Sequence, residues 1–250
     1  MDQPDADPDE LAESLRDLGA VNRWLGGRFS AISHTLDIVA RIPRSPATIL
    51  DVGTGGGDVP LALAARARRQ GVDLRIIATD LHPRTLAFTR EATSAEPWIE
   101  VRRANALDLP FADGAVDIVM CCTMLHHFSD DEVVRVLREM NRVARHGLVV
   151  TDLARSKAAL AGAALLAQTA WRYHPITRHD GPASVRAAFN AREMRELART
   201  AGVEGRVRVT REPGFRLALV GDRTVVPVPF KRTARSRWRW RAEAVEGAHA

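Results

Sequence analysis

Cysteine is scarce in this chain: 250 residues hold two, Cys121 and Cys122. They are adjacent and lie in an apolar run, so neither a disulfide framework nor a thiolate metal site is expected. No carboxylate cluster resembles a magnesium site, and no metal is expected. Lysine is equally scarce, with Lys157 and Lys231 set against 34 arginines, a bias we read as genome composition rather than function. Long apolar runs are missing. The longest stretch of small apolar residues, 158–167, falls well short of the roughly 20 residues that span a bilayer. The opening MDQPDADPDE lacks the basic segment and apolar segment of a secretory leader. We read 1–10 as a disordered tail and expect a cytoplasmic protein.

The charge that is present lies unevenly. Of the net +5, most comes from 231–250, which carries six of the 36 basic groups and two of the 31 acidic ones. The body is therefore close to neutral. The segment KRTARSRWRWR, 231–241, reads plainly as a solvated basic extension; its functional reading is weak contact with an anionic membrane.

Helical spacing of apolar residues runs through 11–18 and 21–42, broken at Gly26 and Gly27. Strands and helices then alternate. The strands are TILDV (48–52), LRIIATD (74–80), IEVRRA (99–104), VDIVMCC (116–122) and GLVVTDL (147–153). Between them fall VPLALAARARR, PRTLAFTREAT with Pro83 in its first turn, and SDDEVVRVLREMNRVAR, acidic at its start and basic at its end. This order predicts parallel strands with helices on both faces. Then the order changes. RSKAALAGAALLAQTAW predicts a separate apolar helix and RYHPITRHDGPAS a polar loop. NAREMRELARTAGV predicts a helix capped by Asn190, and RVRVT with FRLALVG an antiparallel pair. The fold class is α/β: a Rossmann-like, seven-stranded, mostly parallel sheet with its last strand antiparallel, helices on both faces and a helical lid. The expected divisions are 1–10, a tail; 11–45, a helical cap; 46–153, the ligand-binding core; 154–190, the lid; 191–222, the rest of the core; and 223–250, a basic tail.

At the first strand–helix junction stands ILDVGTGGGDVPLALA, 49–64. Open α/β sheets bind nucleotides at such turns. The dinucleotide pattern needs three glycines, so that a pyrophosphate can rest on the helix N-terminus. Gly53 and Gly55 fit, but the third position is Asp58, and Asp51 adds a second carboxylate. Two anions would repel a diphosphate and favour a ligand with cationic groups. No Gly-Lys-Ser/Thr occurs, which excludes a P-loop. Asp80, ending the next strand, can accept hydrogen bonds from two ribose hydroxyls. A ribose, a positive charge and no diphosphate together describe S-adenosyl-L-methionine.

From about Thr48 to Asp152 the chain resembles the class I S-adenosylmethionine-dependent methyltransferases, above all the small-molecule branch with the ubiquinone/menaquinone-type enzymes. The similarity is carried by LDVGTGGGDVP, ATD, NALDLPFADGAVDIVM and MLHHFSDDEVVRVLREMNRVAR. Further on, TRHDGPASVRAAFNAREMRELARTAGV resembles methyltransferases associated with type III polyketide synthases, which modify phenolic lipids. The resemblance implies that Asp51, Gly53, Thr54 and Gly55 line the methionine part of the cofactor. It implies Asp80 at the ribose, Leu81 against the adenine, and Asn105, Ala106 and Leu107 at the adenine edge; Cys122 is counted with them. Asn105 stands where the family has Asp. Its amide oxygen can still accept from the adenine amino group, without the help of a charge. A second departure is ARHG, 144–147, in place of Pro-Gly-Gly.

Methyl transfer from a sulfonium is an in-line displacement, so alignment is the main task; a phenolic or carbon nucleophile must also lose a proton. His126 and His127 directly follow VMCCTML and are the base candidates. His126 is favoured, because the ubiquinone-type family has a functional polar residue there. Arg178 and His179 in the lid, and Asp152 at the end of the fifth strand, are candidates on the acceptor side. Trp171, Met124 and the helix over 158–170 could form an apolar wall for the acceptor. The reading is a methyltransferase acting on a small aromatic or polyketide-like acceptor, phenolic or quinone, at oxygen. Carbon methylation of a quinone precursor is the near alternative. An RNA methyltransferase is disfavoured, because CCTMLHHF replaces the Asn/Asp-Pro-Pro-aromatic motif of enzymes that methylate nucleobase amino groups. A non-catalytic cofactor-binding protein rests only on the independence of fold and activity. The oligomeric state is left open.

Overall fold

The computed structural model describes residues 26–224 apart from 44, 170, 173 and 174, with no side-chain description at 175–177. The readings made for 1–25 and for 231–241 lie outside the described residues. In chain order the elements are α1 (Gly27–Val39), β1 (Ala47–Val52), α2 (Asp58–Arg69), β2 (Leu74–Asp80), α3 (Pro83–Ala92), β3 (Ile99–Arg103) and β4 (Val116–Cys122). There follow a 3₁₀ turn (Leu125–His127), α4 (Asp130–Val143), β5 (Ala144–Leu153), α5 (Lys157–Gln168), α6 (Pro175–Ala187), α7 (Ala191–Thr200), β6 (Val207–Glu212) and β7 (Arg216–Asp222).

The strands form one sheet in the order β3-β2-β1-β4-β5-β7-β6. Strands β1 to β5 pair in parallel, and β7 runs antiparallel to both β5 and β6. This is the expected sheet, last strand included. The central strands are continuous apolar runs because helices cover both faces. On one face Leu50, Val119 and Val150 meet α4 and α7; on the other Ile49, Ile118 and Val149 meet α1 and α2. A fully buried core side chain such as Leu137 or Met140 contributes about 1.5–3 kcal/mol.

Local signals explain the helix starts. The Glu132 carboxylate accepts from the N–H and the hydroxyl of Ser129 ahead of α4. Asn190 Oδ1 accepts from the Arg192 and Glu193 N–H groups at 2.9 and 3.1 Å, capping α7 as expected. Two expectations are corrected. The stretch read as a polar loop is largely helix α6, with Pro182 inside it. Gly181 there lies beneath Trp171: a Cβ would stand 2.6 Å from the indole. Strand β5 begins at Ala144 rather than Gly147, because 144–146 extend the strand past an irregularity where Ala144 pairs with Val116. Among the described residues, no helix is long and apolar enough to cross a membrane.

Candidate active site

The strand order reverses between β1 and β4, the point where open α/β sheets bind ligands outside the carboxyl ends of their strands. A cavity of about 690 Å³ lies there. All ten residues that the sequence assigns to the cofactor, Asp51, Gly53, Thr54, Gly55, Asp80, Leu81, Asn105, Ala106, Leu107 and Cys122, line it.

The loop after β1 is pinned from behind. The Thr54 N–H donates to Thr79 O at 2.8 Å, and the Thr79 hydroxyl donates to Asp51 O at 2.8 Å. The Gly55 N–H donates to Asp80 Oδ2 at 3.1 Å, and the His82 N–H to Asp80 Oδ1 at 3.0 Å. Asp80 therefore fixes the loop while each oxygen keeps a lone pair for another donor. Gly53 has φ 71°, and a Cβ there would stand 2.2 Å from Met124 Sδ, so the backbone is bare for two reasons.

The acidic groups are unevenly satisfied. Asp51 Oδ2, Thr54 Oγ1 and Asp58 Oδ2 are buried, with no hydrogen-bond partner among the described residues beyond the Asp51–Thr54 pair itself. Burial pushes the Asp51 carboxyl up to about 7; Thr54 pulls it back in part, and the Asp58 and Asp80 carboxyls push it further. Asp58 is also raised, chiefly by burial, with the Arg28 guanidinium opposing. The sequence treats both as plain anions; burial makes Asp51 a group that a nearby cation would ionise. Asp58 occupies the first turn of α2, where a pyrophosphate would otherwise rest.

At the other end of the cavity, Asn105 Oδ1 accepts the Leu107 N–H at 3.0 Å. The amide oxygen expected to face an adenine amino group is thus already engaged in a local turn, and its side chain is exposed.

The candidates for chemistry fall into three places. His127 lines the cavity. His126 and Asp152 do not; they are buried together behind it. His126 Nδ1 is 2.7 Å from Asp152 Oδ1, and its backbone N–H donates to Asp152 Oδ2 at 3.2 Å. Burial pushes the Asp152 carboxyl up, but His126, the Leu153 N–H and the Arg216 guanidinium outweigh it and hold Asp152 below its ordinary value. An ionised carboxylate only accepts, so the His126 proton sits on Nδ1. The two histidine rings are 4.3 Å apart. Arg178 and His179 are exposed on α6 and are not part of the cavity wall; His179 Nδ1 lies 3.2 Å from its neighbour Asp180. The expected apolar wall is divided: Met124 lines the cavity over Gly53, whereas Trp171 packs on Gly181.

The sequence reading missed Thr123, which lines the cavity with φ 55°, and Arg216, fully buried behind it. A positive φ at threonine carries no sequence signal. An arginine opening an otherwise apolar strand, in FRLALVG, is a weak one.

The fold is one that solved S-adenosylmethionine-dependent methyltransferases share. Residues 49–147 match the family model described as a methyltransferase domain. Over 147 residues the chain is 36% identical to a demethylmenaquinone methyltransferase of Thermus thermophilus, covering 57% of this chain and 60% of the relative. It is 26% identical to a ubiquinone/menaquinone biosynthesis C-methyltransferase, UbiE, of Rickettsia prowazekii, covering 55% and 54%. The chain thus spans between half and two thirds of these curated relatives. Among solved structures it is similar in fold to an S-adenosylmethionine-dependent methyltransferase from Aquifex aeolicus: TM-score 0.59, 20% identity, 87% of this chain and 99% of that one.

Proposed function

We propose that this chain is an S-adenosylmethionine-dependent methyltransferase whose acceptor is a small phenolic or quinone-type molecule. The observation that carries the reading is the buried pair Asp51 and Thr54 beside the bare Gly53 backbone: their Oδ2 and Oγ1 have no hydrogen-bond partner beyond each other among the described residues. These atoms suit the ammonium of the methionine part. Asp80 suits the ribose hydroxyls, and 105–107 the adenine edge. When bound, the cofactor supplies an electrophilic methyl group on its sulfonium.

The chain's own contribution is alignment and proton removal. With Nδ1 committed to Asp152, His126 has Nε2 as its remaining acceptor, and a phenolic proton reaches it behind the cavity wall that His127 lines. Helix α6 packs on the 3₁₀ turn that carries both histidines. We therefore assign 154–190 as a lid under which the acceptor enters, with 46–153 and 191–222 as the core. Oxygen is the reading for the methylated atom. Ring carbon is the second reading, favoured by the name of the C-methyltransferase relative.

The test incubates the chain with methyl-labelled S-adenosylmethionine and phenolic-lipid, hydroquinone and RNA acceptors. Mass spectrometry and carbon NMR then locate the methyl group. A phenolic product methylated at oxygen is expected, and RNA is expected to stay unlabelled. Calorimetric uptake of NAD or ATP, with none of S-adenosylmethionine, would overturn the reading.

A further inference from the structure

Arg216 opens β7 and is the largest fully buried side chain among the described residues. A cation is kept out of water only where its surroundings balance it. Its Nη1–H donates to Thr123 Oγ1 at 2.8 Å. Its charge also helps to hold Asp152 ionised and opposes the rise that burial gives the Cys122 thiol. On another side its head abuts α1: a Cβ built on Gly27 would stand 2.8 Å from Arg216 Cζ.

Thr123 needs such support. Its φ of 55° is a conformation that a β-branched residue rarely adopts. It is tied on one side by its N–H to Thr151 O at 2.7 Å, and on the other by Arg216. Thr123 stands between Cys122 and Met124, and all three line the cavity. Met124 is the side chain that fills the space a Gly53 Cβ would take. A chain of contacts therefore runs from α1 through Arg216 and Thr123 to the bare glycine loop.

We propose that Arg216 is a positioning residue of the methyl-transfer end of the cavity, acting through Thr123 to set the Cys122–Met124 corner against Gly53. The proposal rests on the methyltransferase reading for its kinetic consequence, while the contacts that carry it are independent of that reading.

Gly27→Ala crowds the guanidinium from outside and alters no residue of the cavity wall. Arg216→Lys keeps the charge but loses the planar fork. Each is expected to lower kcat about tenfold, as misalignment does, while the dissociation constant for S-adenosylhomocysteine changes less than about threefold. Each is also expected to move the methyl carbon resonance of Met124, read with and without S-adenosylhomocysteine. Because Gly27 acts through the same contact, Gly27→Ala combined with Thr123→Val should be no slower than Thr123→Val alone. Variants that lose melting temperature yet keep kcat and the Met124 resonance would overturn the proposal, as would effects that multiply. A wild-type chain that methylates nothing would remove the kinetic reading, and the Met124 resonance alone would then decide the positioning role. Where Arg216→Lys does not fold, Gly27→Ala carries the test.

Discussion

His126 Nδ1 and Asp152 Oδ1 lie 2.7 Å apart, joining the 3₁₀ turn after β4 to the end of β5 with both side chains buried. The pair orients the ring and, on the proposed reading, leaves one ring nitrogen for chemistry. His126→Ala should therefore lower kcat by about 10²- to 10⁴-fold, the usual contribution of a general base. Asp152→Asn should lower it at least about tenfold, because an amide no longer selects the Nδ1–H form. Both should leave S-adenosylhomocysteine affinity unchanged by calorimetry. His127→Ala, which alters the cavity wall, should raise KM more than it lowers kcat.

The Asp51 carboxyl gives a pH dependence with a definite sign. An ammonium set against it selects the ionised form, so cofactor affinity should be level above about 7 and fall below that, approaching tenfold per unit. Stability runs the other way. The folded chain holds the Asp51 proton more tightly than the unfolded one. That stabilisation is complete below the ordinary aspartate value of 3.8 and is lost as pH rises through about 7. Asp51→Asn should therefore stabilise the cofactor-free chain at pH 8 by about 1 kcal/mol or more, while abolishing measurable cofactor binding. Titration calorimetry across the pH range and thermal melts at pH 8 check the two halves separately.

Much of this site was legible in the sequence, because its signals are local. Gly53 and Gly55 announce a bare turn, Asp58 stands where a third glycine would, and Asp80 ends the next strand on the same cavity. What was not legible depends on contacts distant along the chain. Thr123 and Arg216 meet across 93 residues, and no periodicity marks that encounter. Gly181 and Pro182 read as breakers, yet α6 continues through them, with Gly181 leaving room for Trp171. The distinction between His126 and His127 was likewise tertiary. Adjacent side chains diverge, and only the position of β5 decides which of them meets Asp152.

Asp80 should prove as important to the loop as to a ligand. It accepts the Gly55 and His82 N–H groups, one on each oxygen. Asp80→Ala removes both charge-assisted bonds as well as any ribose contact, and each such bond is worth about 1.5–3 kcal/mol. Cofactor affinity should fall by at least about 100-fold. Asp80→Asn keeps one acceptor oxygen and should lose less. Calorimetry with S-adenosylhomocysteine would rank the variants, and equal losses would argue that the charge alone matters.

Gly53 offers the sharpest steric test. Its φ of 71° disfavours any L side chain, at a cost of about 1–2 kcal/mol. A methyl group there would also stand 2.2 Å from Met124 Sδ, and relieving that contact by shifting a packed core costs about 1–3 kcal/mol more. The two penalties separate by genetics. Gly53→Ala should lower stability by both and abolish cofactor binding, since the new Cβ and the displaced thioether both encroach on the cavity. Met124→Ala in the same chain removes the steric part and leaves the conformational one. The double variant should therefore recover about half of the lost stability and a measurable part of the affinity. Denaturant melts and calorimetry on the three variants read both quantities. A double variant no better than Gly53→Ala would mean that backbone conformation, rather than the approach of Met124, is what requires glycine here.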